Sequence, residues 1–228
     1  MELTTWSVKF IRKFMLIAKS VGEIENPCYS RHIGAIVVNP ETHKIIGTGY
    51  NGPPAGTPHT DDPKYLREYF WPQLTFDEKK SLQYDVGGII EEQETCNHIF
   101  NATTRICEKC NLSREGGDTK TIDYFVDVYA NKGNCPRRLV GAKSGERSVL
   151  CTCQHAERNA ITNSCCDTHG YTLFCWCGVP CLDCTGAIIN SGIKEVHCLR
   201  VIPDYSLMSR WLFEQAKVEI LEWEMSQL

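Results

Sequence analysis

Two short strings hold the residues most able to bind a metal ion and use it: His155-Ala156-Glu157 and Pro180-Cys181-Leu182-Asp183-Cys184. Each is expected at the start of a helix, where free N–H groups and the positive dipole end favour thiolate over thiol at Cys181 and Cys184. Two sulfurs spaced Cys-x-x-Cys can reach one ion, and a nitrogen of His155 would complete three protein ligands. Three protein ligands with a fourth tetrahedral position left to water is the arrangement of a catalytic zinc, whereas structural sites are closed. Zinc lowers the pKa of water it holds from about 15.7 toward roughly 7. Glu157 is too near His155 in sequence to be a convenient co-ligand, yet it is placed to face the same pocket. There it can take a proton from water and deliver it to a substrate ring and a leaving amine. A His-x-Glu or a Cys-x-x-Cys alone is more often structural. It is the pair, in this order and joined through a strand, that points to catalysis.

A second set of ligand types lies at Cys96, His98, Cys107 and Cys110. Four such ligands, two of them in a Cys-x-x-Cys knuckle, suit a closed tetrahedral zinc. That ion would nucleate a segment with little apolar material of its own. Unligated surface thiols are the plainer alternative. A zinc knuckle can also grip nucleic acid, but Glu91, Glu92 and Glu94 beside it argue against that partner.

The chain has 14 cysteines in 228 residues, a density that in a short secreted chain would suggest a disulfide framework. This chain is long enough to bury a core without such staples. Its first residues show no secretory pattern, and the apolar run 14–18, bracketed by Lys13 and Lys19, is too short for a signal core or a membrane span. The cysteines are therefore expected reduced, in the cytoplasm (a host's cytoplasm for a viral chain), with no membrane partner. The net charge of −4 argues against broad electrostatic binding of nucleic acid.

The elements that must position the two strings follow from periodicity. Trp6, Phe10, Phe14, Ile17 and Val21 form a helical stripe. Residues 33–38 and 44–50 read as a β-hairpin, and the proline- and glycine-rich 51–64 ends regular structure. After residue 150 come a helix over 155–165, a strand over 171–177 and a helix over 180–191. A strand over 194–202, a helix over 206–216 and a last strand over 218–223 follow. The order describes a single α/β domain, a three-layer α/β/α sandwich on a mixed five-stranded sheet, with its core in 5–60 and 150–225. Residues 61–149 read as a large zinc-binding insertion, with a strand expected over 121–130. Cys165, Cys166, Cys175, Cys177 and Cys198 are expected to pack as small hydrophobes. Lys132, Arg137, Arg138, Lys143 and Arg147 read as a solvated loop, or else as a phosphate-facing cluster.

The order H-x-E then P-C-x-x-C is the pattern of zinc-dependent nucleobase deaminases. With Gly34-Ala35-Ile36-Val37-Val38 and the string GYNGPPAG from Gly49 to Gly56, the chain resembles the deoxycytidylate (dCMP) deaminases of the cytidine/deoxycytidylate deaminase superfamily, viral and phage members included. The resemblance covers roughly 5–60 and 150–225. It implies a cytidine deaminase-like fold and hydrolysis of the C4 amine of dCMP, giving dUMP for thymidylate synthesis. It implies substrate contacts from Asn51 to the sugar, from the Ala156 backbone to the pyrimidine edge and from Tyr205. Asn51 as a plain turn residue and Tyr205 as plain packing are the alternatives. It also implies dCTP and dTTP as effectors, often with Mg2+, and a homo-oligomer, commonly a hexamer. A third zinc involving Cys28, Cys135, Cys151, Cys153 or His59 is a further implication, since some phage members use a cysteine at the Cys28 position. Gly178-Val179 depart from the polar residue that relatives often carry before Pro180, so the phosphate-binding residues do not transfer. The rival readings are a deaminase of dCTP or of a 5-modified dCMP, and an inactive zinc-stabilised binding protein.

Overall fold

Alternating apolar strands and amphipathic helices build a layered α/β structure. The computed structural model describes residues 6–24, 27–85, 119–133, 135–143, 146–201 and 206–228. In chain order the main elements are α1 (Val8–Ile24), β1 (Gly34–Val38), β2 (Ile45–Tyr50), α2 (Phe76–Asp85) and α3 (Thr119–Tyr129). They continue with α4 (Ala156–Thr162), β3 (Thr172–Cys175), α5 (Leu182–Asn190), β4 (Glu195–Leu199), α6 (Leu207–Gln215) and β5 (Glu219–Trp223). Two compact units result, one from residues 1–52 and 153–228, the other from 53–152. Among the described residues, no helix is long and apolar enough to cross a membrane.

The first unit holds a mixed five-stranded sheet in the order β2-β1-β3-β4-β5. Strand β1 runs antiparallel to both β2 and β3, while β3, β4 and β5 are parallel to one another. An unbroken apolar run suits a strand covered on both faces, and all five residues of β1, Gly-Ala-Ile-Val-Val, are buried. Successive side chains then alternate between faces. Ala35, Val37, Leu173, Cys175, Val196 and Cys198 meet Ala156, Ala160, Cys184, Ile188 and Phe213 of α4, α5 and α6. Ile36, Val38 and Phe174 meet Ile11, Phe14, Met15 and Ala18 of α1. Helices therefore cover both faces, as the sandwich requires.

The buried face of α1 is turned from the expected stripe. Ile11, Phe14, Met15, Ala18 and Gly22 are buried, and Phe10, Ile17 and Val21 lie at the margin. The cause is a close backbone approach: a Cβ on Gly34 would lie 2.1 Å from the Ala18 carbonyl oxygen and 2.4 Å from the Gly22 amide nitrogen. Small residues, rather than the bulkiest ones, decide which side of α1 meets the sheet.

A second close approach sets the place of α4. A Cβ on Gly49 would come within 2.2 Å of both the Ala156 carbonyl oxygen and the Ala160 amide nitrogen, and one on Gly47 within 2.3 Å of the Ala160 carbonyl oxygen. Spaced by two, these glycines give β2 a flat track on which the helix backbone rests. Asn159 and Asn163, one turn apart on α4, donate from Nδ2 to the Tyr50 and Thr48 carbonyls at 2.8 and 3.0 Å, and so fix the helix along the edge strand.

The second unit has an apolar core of its own, which corrects the expectation of a segment poor in apolar material. Tyr65, Leu66, Phe70, Trp71, Leu74, Leu82, Phe125, Val126 and Leu150 are buried together. The ring of Phe125 lies 4.9 Å from Trp71 and 5.8 Å from Phe70, between centroids, and the Tyr65 hydroxyl donates to the Leu150 carbonyl at 2.6 Å. The strand expected over 121–130 is the helix α3. Ile122, Phe125, Val126 and Tyr129 fall at helical spacing on its packed side, and that periodicity outweighs their strand-favouring side chains. Arg137 donates to the Glu146 and Lys143 carbonyls and Arg147 to Glu78 and the Gln73 carbonyl. Arg137 thus ties its own loop together, and Arg147 ties that loop to residues 73 and 78. The expected structural zinc ligands Cys96, His98, Cys107 and Cys110, and the substrate-side Tyr205, lie outside the described residues.

The two kinds of glycine make opposite predictions. Gly49→Ala should destabilise the fold by about 1–3 kcal/mol, because the atoms in the way are helix backbone. Gly186, within α5, would place a Cβ with nothing within 4 Å, and Gly186→Ala should stabilise by about 0.5–1 kcal/mol. Urea midpoints check both; a rise for Gly49→Ala would contradict the packing of α4 on β2.

Candidate active site

The site forms where two helices begin. Past β2, Gly52 and Gln154 exchange backbone hydrogen bonds of 3.2 and 2.7 Å, which delivers the chain to His155 in extended conformation (φ −75°, ψ 150°) as the N-cap of α4. Past β3, Cys181 in extended conformation (φ −64°, ψ 167°) is the N-cap of α5, and Cys184 lies in its first turn. The His155 side chain makes no cap hydrogen bond to its own helix. His155 and Cys181 are turned toward one another. His155 Nδ1 lies 3.3 Å from Cys181 Sγ and 3.4 Å from Cys184 Sγ, and the three donor atoms all lie within 4.8 Å of one another.

These separations fit zinc. Bonds of about 2.0–2.1 Å to nitrogen and about 2.3 Å to sulfur, at tetrahedral angles, put the nitrogen and sulfur roughly 3.5 Å apart. The donor set of one imidazole and two thiols suits that ion, and three ligands leave one corner open. Cys184 is buried while His155 and Cys181 are exposed, so these three ligands do not close the site to solvent.

Electrostatics prepares the sulfurs. A hydrogen bond from the Cys184 thiol, with others from His155 and the Cys184 amide, pulls Cys181 down to about 3 against the opposing effect of burial. Donating that bond, together with burial, pushes Cys184 up. Of the two sulfurs, Cys181 is thus the one that favours the thiolate, and metal binding would take the proton from Cys184 as well. His155 is raised, first by its bond to Cys181 and then by the nearby Glu157 carboxylate, against burial.

Glu157 occupies the first turn of α4 and is 3% exposed. Burial pushes its carboxyl above the usual range, against the pull of its own amide and of His155. Its Oε1 accepts from the Cys177 thiol at 3.7 Å. Cys177 was expected only as packing, and its role has a legible source. Leu173, Cys175 and Cys177 alternate onto the sheet face that α4 covers, so the residue just past β3 reaches the helix's first turn. Cys175 and Cys198 are core residues as expected, but Cys165 and Cys166 are exposed, because α4 stops at Thr162 and leaves them on the surface. None of the described cysteines forms a disulfide.

Asn51 is buried at 4% exposure. Its Oδ1 accepts from the Ala156 amide at 2.8 Å, and its Nδ2 donates to the Arg31 carbonyl at 3.2 Å. Asn51 and the Ala156 backbone, both expected at the substrate, are therefore brought together by a bond between them. His59 lies in the other unit, its Nδ1 2.7 Å from Asp61 Oδ1.

Residues 8–200 match the family model described as the cytidine and deoxycytidylate deaminase zinc-binding region. The deoxycytidylate deaminase of Schizosaccharomyces pombe is 37% identical over 67 residues, which are 29% of this chain and 21% of that protein. The chain thus spans about a fifth of that curated relative's length. The crystal structure of the dCMP deaminase of cyanophage S-TIM5 in apo form is 16% identical, covering 96% of this chain and 100% of that one, with a TM-score of 0.48. The same enzyme in complex with dCMP and dUMP is 18% identical, covering 96% and 99%, with a TM-score of 0.49.

The geometry predicts a specific loss of metal. Cys184→Ala removes the buried sulfur of the three, and the purified chain should carry one zinc ion fewer than the unsubstituted chain by elemental analysis. An unchanged zinc count would show that these three side chains do not hold an ion.

Proposed function

The chain belongs to the cytidine and deoxycytidylate deaminase zinc-binding family, and we propose that it catalyses hydrolytic deamination of dCMP to dUMP and ammonia. The observation that carries the proposal is the convergence of His155, Cys181 and Cys184 beside the buried carboxyl of Glu157. The GYNGPPAG string supports a deoxycytidylate as the substrate.

His155, Cys181 and Cys184 would hold zinc, which when bound supplies a Lewis acid that makes water reactive near neutral pH. The remaining work falls to this chain's own groups. Glu157 accepts a proton from the attacking water as its oxygen bonds to C4, and passes that proton to N3 of the pyrimidine ring. The carboxylate then takes the second proton from the new C4 hydroxyl and gives it to the amine, so that ammonia leaves as the C4–N bond breaks and the C4 carbonyl forms. A carboxyl pushed above the usual range by burial is suited to both halves of that task, because it can bind a proton and still release it. The Cys177 thiol holds Oε1 on the side it donates to and so limits how the carboxyl turns.

Supply of dUMP for thymidylate synthesis, opposing control by dCTP and dTTP with Mg2+, and a hexameric assembly extend the proposal on the strength of the GYNGPPAG resemblance. A substrate contact from Tyr205 extends it on the same ground, and a structural zinc at Cys96, His98, Cys107 and Cys110 extends it on the types and spacing of those four ligands. A buried glutamate facing three metal ligands argues against an inactive binding protein, because a metal-holding fold has no need of that carboxyl.

Absorbance loss with dCMP tests the reading, with dCTP and 5-methyl-dCMP as competitors. The zinc-loaded chain should turn over dCMP, and Glu157→Gln should lower turnover by about 10² to 10⁴-fold while keeping its zinc. A loaded chain inert on dCMP, or a Glu157→Gln variant of full activity, would overturn it.

A further inference from the structure

The N-cap side chain of a helix ordinarily serves the amide of N2 or N3, so the N1 amide needs a partner from elsewhere. At α4 the N-cap is His155, whose ring faces the two sulfurs and makes no cap hydrogen bond. The N1 amide, that of Ala156, is satisfied by Asn51 Oδ1, which reaches it from 105 positions away in sequence. Asn51 is itself held at three points. Its Nδ2 donates to the Arg31 carbonyl, its backbone amide donates to the Ile33 carbonyl at 3.2 Å, and its neighbour Gly52 is paired with Gln154. This chain of bonds runs from the segment before β1, through the end of β2, to the residues on both sides of His155.

We propose that Asn51 is a positioning residue, a remote cap on the N1 amide that fixes the start of α4, where the metal site claims the N-cap side chain. Its target is the aim of His155 Nδ1 and, one residue beyond Ala156, of Glu157. The reading differs from a sugar contact. An amide that already accepts from Ala156 and donates to Arg31 keeps one N–H and one lone pair for anything else. It depends on the deaminase reading for its kinetic arm alone, and its metal-binding arm stands apart from activity.

The test measures zinc affinity by chelator competition, for the ion that Cys184→Ala removes, in the full-length chain. Asn51→Ala deletes the acceptor and should weaken that affinity about tenfold, the low end for a residue that supports a ligand from behind. Asn51→Asp keeps an oxygen for the Ala156 amide but loses the donor to the Arg31 carbonyl, and should weaken zinc binding less than Asn51→Ala does. With dCMP, Asn51→Ala should lower kcat more than it raises KM. Unchanged zinc affinity in Asn51→Ala with a raised KM would assign the side chain to substrate and overturn the proposal. Should Asn51→Ala fail to fold, Asn51→Asp decides: zinc affinity lowered severalfold with the KM for dCMP unchanged supports the role, and unchanged affinity with a raised KM refutes it. Absence of dCMP turnover in the unsubstituted chain would refute the deaminase reading and leave the zinc comparison intact.

Discussion

Everything at the site depends on a helix backbone lying against a strand with no side chain between them. Gly47 and Gly49 leave β2 bare on the face that α4 covers, and Asn159 and Asn163 fasten the helix along that strand. The arrangement brings the first turn of α4 down to the level of the sheet. His155 and Glu157 are thereby carried into the same layer as the residues that follow β3. A helix standing off by the width of one methyl group would take both away from the sulfurs, and donor atoms separated by 3.3 and 3.4 Å leave little room for that.

The second helix arrives by a different route. Strand β3 is central, antiparallel to β1 and parallel to β4, so its end lies deep within the unit and beside the end of β2's hairpin. Cys181 and Cys184 follow after a short loop, one as N-cap and one in the first turn of α5. Placing a thiolate at a helix start lowers the cost of ionising it, and the hydrogen bond that Cys181 receives from the Cys184 thiol points the same way. Burial acts with opposite usefulness on Glu157, where it favours the protonated form of a group that must carry protons. The same unit thus favours ionisation at Cys181 and protonation at Glu157 by giving them different surroundings.

Much of this was legible in the residues. His155, Glu157, Cys181 and Cys184 announce themselves by type and spacing, and the hairpin and the helix starts follow from apolar period and from Pro180 and Gly192. What was not legible depended on tertiary approach. The turn of α1 onto its small-residue side comes from the Gly22–Gly34 contact, which no stripe of large residues reveals. The strand expected at 121–130 is a helix because Ile122, Phe125, Val126 and Tyr129 share one side of a packed cluster, a pattern that composition concealed. Cys177 looked like one more core thiol until alternation along β3 set it against Glu157. Asn51 looked like a turn or sugar residue, and its tie to Ala156 spans a gap in sequence that no local pattern records.

An open three-ligand zinc site at the starts of α4 and α5 is what the proposed chemistry requires. Anomalous diffraction at the zinc absorption edge, from crystals of the metal-loaded chain, locates the ion. A peak is expected about 2.0–2.3 Å from His155 Nδ1, Cys181 Sγ and Cys184 Sγ, with a fourth, non-protein ligand on the side of Glu157. No peak among these three atoms, or a fourth protein side chain closing the coordination, would contradict it.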